Sequence, residues 1–585
     1  MAKRRVPADA AQVESRKASP IGREEKSTHH ASAQSSRWLA LAGGSGALLL
    51  FLAIYLPRID RVVGLVVDDG WYVMLAKALA TGQTYTLINS PSPGILPLYP
   101  PLFPWLLSLA YRLSPQFPAN VSLLKSVSIA AMLGAGLATY RYFTRERELP
   151  QWLAGGIAVA AVTVPAFVFL ATSTVMSECV FTLIQLLTLI AVERSAREKQ
   201  SRAAIGYAAL GGVLAALTFL TRSIGLGIIL AAGIYLLKER LLRQAVIFAV
   251  LVAIFAGPWV LYSRSHAPTE AQRNEQNGYV VQSYSTQLWQ RKAGDPTGEK
   301  LTFGDIMERC WNNAVEIIGL DVGAMLAAPS VRAPERNGLE TLGTGGGVRW
   351  LSLILSLFVI IGFIVVVREK LTLAEILVPI MLMITVIWPW VPFRFVLPLA
   401  PLLIFYFLMG LRFVARPFQS ARQSVPAHWP RLLLGTAVGC MIVVNIYDSA
   451  VYLMHLKGPD RPPWVTAFEE HEQMMKWISE NVPKTDAIVT PNAPMFYLFT
   501  GNKTIAFANP EKNWEMWKAL KVRYLAQLPP HVLDRVPPPA PAESKFNIIY
   551  RSRGRLDLRL TDFGPASSRL PWGNLPFRGS TTIPQ

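Results

Sequence analysis

Long apolar segments separated by short charged stretches run along the chain from residue 38 to residue 454. A helix needs about 20 predominantly apolar residues to cross the hydrocarbon core of a bilayer, and this rule predicts about eleven spans. The predicted spans are 38–57, 120–143, 152–172, 176–194, 205–220, 224–237, 245–262, 348–367, 373–388, 395–413 and 432–454. The pattern is typical of an all-α polytopic membrane domain over 38–454, in which 224–237 and 373–388 are short for a span.

Polar sequence flanks this domain on both sides. Residues 1–37 are polar and mixed in charge, which predicts a disordered cytoplasmic tail. Residues 455–585 alternate between helix-like and strand-like patterns, which predicts a small extracytoplasmic α/β domain with a poorly ordered end from Asp562 onward. Its predicted elements are an amphipathic helix over Phe468–Glu480 and short buried strands at Ala487–Thr490, Thr504–Phe507 and Asn547–Tyr550.

Basic residues occur in every connection on the side of the amino terminus, which is the positive-inside signature. They are Arg145 and Arg147; Arg194, Arg197, Lys199 and Arg202; Lys238, Arg240 and Arg243; Arg368 and Lys370; and Arg412, Arg416, Arg422 and Arg431. The amino terminus is therefore predicted to be cytoplasmic and the carboxy terminus outside, with outer loops at 58–119 and 263–346. Much of the net charge of +19 is explained by this topology, and part of it can attract anionic lipid head groups. The charge therefore needs no nucleic acid partner.

An acidic pair, Asp68-Asp69, lies just outside the first predicted span. Carboxylates at a membrane face are costly to desolvate unless they are paired or used. The pair opens a predicted amphipathic helix that ends at Gly82, and the residues on its apolar side are Trp71, Met74, Leu75, Ala78 and Leu79. Aspartate is also a favoured helix N-cap, which explains one of the two residues better than both. A general base at the lipid–water boundary is the functional interpretation.

Further polar residues fall near the outer ends of spans. Tyr99 precedes Pro100-Pro101, Glu178 opens the fourth span, and Arg222 and Arg394 lie in short outer turns. A single arginine at a span end often snorkels to the interface, and a carboxylate is favoured at a helix N-terminus, so both simpler interpretations stay open. Two arginines against the positive-inside trend favour an anionic partner, either an aspartate, Glu178 or a phosphate.

Cysteine and metal chemistry add little. Cys179 and Cys440 lie in or beside spans, where buried apolar thiols are expected, and Cys310 lies in an outer loop. The spacing predicts no disulfide pair and no Cys/His zinc site. A divalent ion between Asp68 and Asp69 is possible, but no third ligand is identifiable, so no metal site or cofactor is predicted.

The chain resembles the GT-C superfamily of polyprenyl-phosphate-sugar-dependent glycosyltransferases, in particular the protein O-mannosyltransferase and aminoarabinose-transferase branch. The resemblance covers roughly residues 38–510. It lies in Asp68-Asp69 with Tyr72 and Leu75–Gly82, Tyr99-Pro100-Pro101, Ser177-Glu178, Thr221-Arg222, Pro258-Trp259, Arg394-Phe395-Val396-Leu397-Pro398, and Trp477-Ile478 through Phe507. The chain departs from the pattern at Tyr99, where a basic residue is usual, and at Asp68-Asp69, where many members have Asp-Glu.

The resemblance implies an inverting transfer of a sugar from a polyprenyl-phosphate donor to a lipid, glycan or protein acceptor at the outer face of the bacterial cytoplasmic membrane. Asp68 is then the base, and Asp69 orients it or shares the acceptor contact. Arg222 and Arg394 are the candidates for the donor phosphate, and Tyr72, Tyr99 and Glu178 complete the substrate site. The competing classes are a transporter or flippase for a lipid-linked glycan, a membrane-anchored binding protein, and a glycan ligase.

Overall fold

The computed structural model describes residues 42–91, 99–198, 201–267, 284–291, 299–331, 350–421, 429–459, 461–506, 517, 520, 522–528, 547–554 and 556–563. The predicted cytoplasmic tail, 1–37, lies outside the described residues. The chain divides into two compact units, Met1–Ala53 and Ile54–Gln585. In the first unit the described residues are helical, and they form the first part of helix α1.

Helices account for most of the described residues up to Lys457. In chain order they are α1 Ala42–Arg58, α2 Asp68–Ala80, α3 Leu102–Leu113, α4 Val121–Arg145, α5 Gln151–Val162, α6 Pro165–Thr172, α7 Glu178–Glu198, α8 Arg202–Thr221, α9 Leu226–Lys238, α10 Leu242–Ser265, α11 Tyr284–Leu288, α12 Phe303–Glu316, α13 Val322–Val331, α14 Trp350–Glu369, α15 Leu373–Ile387, α16 Phe393–Val396, α17 Ala400–Ala421 and α18 Trp429–Lys457. A π-helical segment, Ile317–Asp321, joins α12 to α13.

Seven of these helices are long and apolar enough to cross a membrane within the described ranges, and the bent pair α5–α6 makes an eighth. Each of the eleven predicted spans coincides with an apolar helix, but the count of eleven is not confirmed. The helices at 38–57, 224–237 and 373–388 are the short ones. A helix rises about 1.5 Å per residue, so one of about 15 residues falls short of the roughly 30 Å hydrocarbon core. The coarser prediction, a multi-pass helical membrane protein, is confirmed.

A small mixed sheet follows α18 in the chain. Its elements are α19 Pro463–Asn481, β1 Ala487–Thr490, α20 Ala493–Thr500, β2 Thr504–Ala506, β3 Val522–Gln527, β4 Asn547–Arg551 and β5 Arg559–Asp562. The strand order is β2-β1-β3-β5-β4, with β1 parallel to β2 and β3, and β5 antiparallel to β3 and β4. The core beneath it contains Val489, Ile505, Trp517, Leu525 and Phe563.

The predicted strands at 487–490 and 547–550 are present, and 504–507 is present as β2 up to Ala506, with Phe507 outside the described residues. Strand β4 is an exposed edge strand and was wrongly predicted as buried. Strands β3 and β5 were not predicted. Asp562 was placed in a poorly ordered end, yet it belongs to β5 and accepts hydrogen bonds from the Arg523 guanidinium. Residues 564–585 lie outside the described ones.

The sheet region packs onto the loops on both sides of α2 in the sequence. The Asn492 side-chain amide donates to the Gly64 carbonyl at 2.6 Å, and the Thr504 amide donates to the Asn89 carbonyl at 2.7 Å. Helix α20 packs against α2, so the face of α2 that was predicted to be solvated is covered. From Asp69 to Ala76 the helix is buried all round, and the predicted amphipathic pattern is wrong for this reason. The turn predicted at Gly82 is present, with φ +75°.

The cysteines are free within the described part of the chain. Cys179 is buried, as predicted for a span, whereas Cys440 is exposed on α18, so the prediction of a buried thiol is wrong there. An exposed residue on an apolar spanning helix faces the surrounding lipid rather than the helical core.

Candidate functional site

The two aspartates that open α2 have different surroundings. Asp69 is fully buried, and its carboxylate accepts backbone N–H groups of Gly64 at 2.9 Å, Val66 at 3.2 Å and Gly70 at 3.1 Å. Val67, between them, adopts φ +65°, which is unfavourable for a β-branched residue. Asp69 therefore stabilises a strained turn immediately before Asp68. This is a structural role of the kind that the N-cap interpretation assigns to one of the two aspartates.

Burial raises the pKa of Asp69 to about 6, because desolvation disfavours the charged carboxylate, while the hydrogen bonds from Gly64 and Val66 act in the opposite direction. Neither oxygen of this buried carboxylate is open to an acceptor. Of the two predicted roles for Asp69, orienting Asp68 fits this geometry and sharing the acceptor contact does not.

The Asp68 side chain remains 29% exposed. Its Oδ1 accepts the Tyr99 hydroxyl at 2.7 Å, and its Oδ2 accepts the Arg394 Nη2 at 3.1 Å. The resemblance inferred from the sequence implied a basic residue at this position, and the tyrosine present orients the carboxylate by a neutral hydrogen bond. Asp68 is thus a held, partly exposed carboxylate, which is what a general base requires.

Arg394 joins Asp68 to a buried carboxylate on α7. Its Nε donates to Glu178 Oε1 at 2.9 Å, and Arg222 Nη1 reaches the same oxygen at 2.7 Å. Arg222 also donates to the Ser177 hydroxyl at 3.2 Å. The four charged groups form one chain, Asp68–Arg394–Glu178–Arg222, with two positive and two negative charges.

This arrangement excludes snorkelling for the two arginines and agrees with a helix N-terminal position for Glu178. Arg222 and Arg394 do not snorkel toward solvent, since both point into the protein and share a buried carboxylate. Glu178 is the first residue of α7, where the helix dipole favours a negative charge, and it also receives two guanidinium groups. The predicted anionic partners of the arginines are therefore Glu178 and Asp68.

Aromatic side chains border the row of charged side chains that runs from Asp68 to Arg222. The Tyr72 hydroxyl lies 3.1 Å from the Ser177 hydroxyl, and its ring contacts the Tyr99 ring edge-on at 5.0 Å. The Phe395 ring lies under the Arg222 guanidinium at 5.1 Å. Burial raises the pKa of Tyr72. All seven residues predicted for the site, from five separated segments, therefore lie together.

Tyr284 is a further residue at this place that sequence reasoning missed. It lies on α11. Burial raises its pKa to about 12, while the Arg222 guanidinium and the Ser223 side chain next to Arg222 act to lower the pKa of its hydroxyl. Its ring contacts Trp388 at 5.3 Å. No periodicity marks this residue, because its segment lies in a long loop far in sequence from Arg222.

Arg264, His266 and Arg273 are further cations of the predicted outer loop 263–346. Arg264 and His266 are exposed at the end of α10, where His266 stacks on Tyr262 with ring centroids 4.3 Å apart. Arg273 lies outside the described residues. For metals, no group of three or more His, Cys, Asp or Glu side chains that could hold an ion occurs in the described part of the chain. Asp68 and Asp69 do not converge, since one carboxylate faces Arg394 and the other faces backbone amides.

Known structures share this architecture. ArnT from Cupriavidus metallidurans bound to undecaprenyl phosphate is similar with a TM-score of 0.55 and 12% identity, covering 90% of this chain and 98% of that one. The oligosaccharyltransferase AglB from Archaeoglobus fulgidus, in complex with an inhibitory peptide and a dolichol-phosphate, is similar with a TM-score of 0.53 and 12% identity, covering 84% and 69%. No family model matches the chain, and no curated protein sequence gives a significant match.

At this identity the likeness concerns the fold. ArnT and AglB are both membrane glycosyltransferases of the GT-C superfamily, so the resemblance inferred from the sequence is confirmed at that level. The chain has the fold of the GT-C membrane glycosyltransferases.

Proposed function

We propose that the protein is an inverting glycosyltransferase that moves a sugar from a polyprenyl-phosphate donor to an acceptor at the outer face of the cytoplasmic membrane of a bacterium. The observation that carries this proposal is the partly exposed Asp68 carboxylate, oriented by Tyr99 and paired with Arg394. The fold supports it, because the similar ArnT structure is bound to undecaprenyl phosphate and the AglB structure to a dolichol-phosphate.

The chemistry needs a base and a stabilised leaving group. The acceptor oxygen attacks the anomeric carbon, the bond from that carbon to the phosphate oxygen breaks, and the polyprenyl phosphate leaves with the electron pair. The acceptor proton passes to Asp68, whose exposed carboxylate is the only one of the pair with an accessible surface. Because a phosphate is already a good leaving group, it needs positive charge more than it needs a proton donor.

Arg394 and Arg222 supply that charge. A guanidinium carries more N–H donors than the two contacts of Arg394 use, so it can receive a phosphate while Glu178 holds its Nε. A bound phosphate competes with Asp68 for the Nη2 group of Arg394. Donor binding thereby releases Asp68 Oδ2 for the acceptor hydroxyl, so the base becomes available when the donor is in place.

The neighbouring residues position these groups. Tyr72 and Ser177 fix one end of the charged chain, and Tyr284 borders Arg222 from the outer loop. A divalent ion has only Asp68 as a candidate ligand in the pair, so the proposed transfer does not require one. Activity in the presence of a chelator is the expected result, and a chelator-sensitive reaction restored by a divalent ion would contradict this part.

The proposal also includes a domain arrangement and an orientation. The transmembrane domain covers 38–454 and the α/β domain covers 455–585, with the amino terminus cytoplasmic and the carboxy terminus outside. Hydrogen bonds from Asn492 and Thr504 to the loop that precedes and follows α2 support one common side for Asp68 and the sheet. Single cysteines placed at exposed positions of 461–506 are expected to react with a membrane-impermeant reagent from outside intact cells. Reaction only after the inner face is opened would contradict the orientation.

Turnover of a labelled polyprenyl-phosphate sugar by the purified protein tests the function itself. Cleavage of the sugar–phosphate bond, with release of polyprenyl phosphate, is expected once a suitable acceptor is present. A transporter or flippase would move the intact lipid across a vesicle membrane without cleaving it. A glycan ligase would use a lipid-linked glycan and transfer it whole, so the size of the transferred group separates the two transferase types.

A further inference from the structure

Helix α12, Phe303–Glu316, lies in the long outer loop and is not one of the spanning helices of the described chain. It begins with a reciprocal capping box, in which the Thr302 amide donates to Asp305 Oδ2 at 2.8 Å and the Asp305 amide donates to Thr302 Oγ1 at 3.3 Å. The helix therefore has a defined start that does not depend on neighbouring elements.

Its surface is divided into three stripes. Phe303, Met307 and Trp311, four residues apart, are exposed by 79%, 54% and 70%. Glu308 and Asn312, one position further round, are also exposed and are polar. An exposed apolar stripe beside an exposed polar stripe is the pattern of a helix that lies flat at a lipid–water boundary, with one stripe in each phase.

The third stripe fixes the helix to the protein. The Arg309 guanidinium donates to the Leu288 and Gln290 carbonyls at 2.9 and 2.7 Å. The Asn313 side-chain amide donates to the Val386 and Trp388 carbonyls at 2.9 and 2.8 Å. These last two carbonyls lie at the end of the apolar helix α15, so α12 is attached where α15 ends.

Exposed apolar side chains also occur on α15 near this joint. Met383 and Ile387, near the end of α15, are exposed large apolar side chains. An apolar stripe attached at the end of an apolar helix that itself exposes apolar side chains fits lipid as its neighbour, whereas the same stripe in water would be an unexplained apolar patch.

We propose that α12 lies in the plane of the membrane interface, with Phe303, Met307 and Trp311 among the lipid acyl chains and Glu308 and Asn312 in water. The inference does not depend on glycosyl transfer. It has a consequence for the site, because Trp388, which α12 holds by its carbonyl, contacts the rings of Tyr284 and Phe395. A lipid-anchored α12 thereby steadies the segment that leads to Arg394.

Nitroxide labels on single cysteines test the placement. The full chain, with Cys179, Cys310 and Cys440 replaced by alanine, carries Met307→Cys or Trp311→Cys, with Glu308→Cys and Asn312→Cys as matched controls on the same helix. Each variant is reconstituted in vesicles of phosphatidylcholine and phosphatidylglycerol. Collisions with oxygen, which dissolves in lipid, are compared with collisions with a water-soluble nickel chelate.

Collisions of the nitroxide with oxygen are expected to exceed its collisions with the nickel chelate at positions 307 and 311. The order is expected to reverse at positions 308 and 312. Nickel access at 307 and 311 equal to that at 308 would overturn the proposal by placing the stripe in water. Spin–spin broadening at 307 with neither reagent admitted would also overturn it, because a second copy would then cover the stripe. Where a cysteine variant does not fold, quenching by brominated lipids, measured as wild type minus Trp311→Phe, answers the same question. No quenching attributable to Trp311 would count against the proposal.

Discussion

Helix α7 has a cluster of charged groups at each end, and the two clusters differ in what they leave open. At one end Glu178 binds Arg222 and Arg394, and Arg394 continues to Asp68. At the other end Arg147 binds Glu375 at 2.9 Å and lies 3.9 Å from Glu193. The two glutamates of α7 are separated by about 22 Å along the helix axis at about 1.5 Å per residue.

The cluster around Arg147 is closed. Both oxygens of Glu375 are bonded, one by the Tyr406 hydroxyl and the other by Thr372, and Arg147 bonds both. The Tyr142 hydroxyl also donates to Glu193, and Thr372 Oγ1 lies 3.0 Å from the same Glu193 oxygen. A buried ionic network of this kind fixes the relative positions of α4, α7, α15 and α17.

The cluster around Glu178 is open at one end. Asp68 and Arg394 keep part of their surface accessible, and Glu178 Oε2 has no hydrogen-bond partner among the described residues. Similar residue types therefore serve two purposes. A buried arginine and a carboxylate with both oxygens bonded hold helices together, whereas the same pair with an accessible edge can exchange partners with a ligand.

Asp68→Asn gives the largest expected effect on the open cluster. Asparagine keeps the shape and accepts the Tyr99 hydroxyl, but it cannot take a proton, so turnover is expected to fall by about 10²–10⁴-fold. The variant is expected to fold and insert. Turnover of the labelled donor measures the loss, and a near-normal rate would remove the base assignment.

Arg147→Met gives the largest expected effect on the closed cluster, and the effect is on stability. Removing the cation leaves Glu375 buried without its partner, which costs about 3–5 kcal/mol. Unfolding in a denaturing detergent measures the loss, and turnover per folded molecule is expected to stay unchanged. The double variant Arg147→Met with Glu375→Leu is expected to recover part of the stability. A variant as stable as the wild type would show that the network does not hold the helices.

The comparison also shows what the sequence alone can predict. The spans follow from apolar runs, and Arg222 and Arg394 were found because they break the positive-inside trend. Arg147 obeys the trend, so it was interpreted only as a topology signal, and its burial with Glu375 was not predicted. Its partner lies 228 residues away, and nothing local to either residue reports such a pairing.

Contacts with distant segments also explain why the sequence prediction failed for α2 and missed Tyr284. The amphipathic interpretation of α2 was wrong because α20, more than 400 residues later, covers its second side. Tyr284 escaped notice because a long loop brings it to Arg222. Local patterns therefore predicted the helices, three of the five strands and seven residues that the structure brings together, and tertiary contacts determined which of those residues are open.

Asp69→Asn tests whether the buried Asp69 carboxyl group makes the stability of the fold depend on pH. The pKa of Asp69 in the folded protein is about 6, above its ordinary value of about 4, so folding is favoured at low pH. This stability is fully present below about pH 4 and is lost as the pH rises through about 6, amounting to about 3 kcal/mol. The wild type is expected to lose stability over this window relative to Asp69→Asn, which does not titrate. Parallel pH profiles of the two melting temperatures would show that Asp69 does not titrate with folding.

Arg394→Lys gives the smallest expected effect, and it tests what the open end of the cluster binds. Lysine keeps the positive charge but lacks the planar fork that reaches Asp68 and Glu178 together, so about 1.5–3 kcal/mol of donor interaction is expected to be lost, roughly ten- to hundred-fold. The loss is expected in the donor KM and turnover, with insertion and stability retained. Arg222→Lys is the matched control, because Arg222 is further from Asp68 in the charged chain and is expected to respond less. If both lysine variants match the wild type, the arginines only neutralise Glu178, and the open end of the cluster does not bind the phosphate.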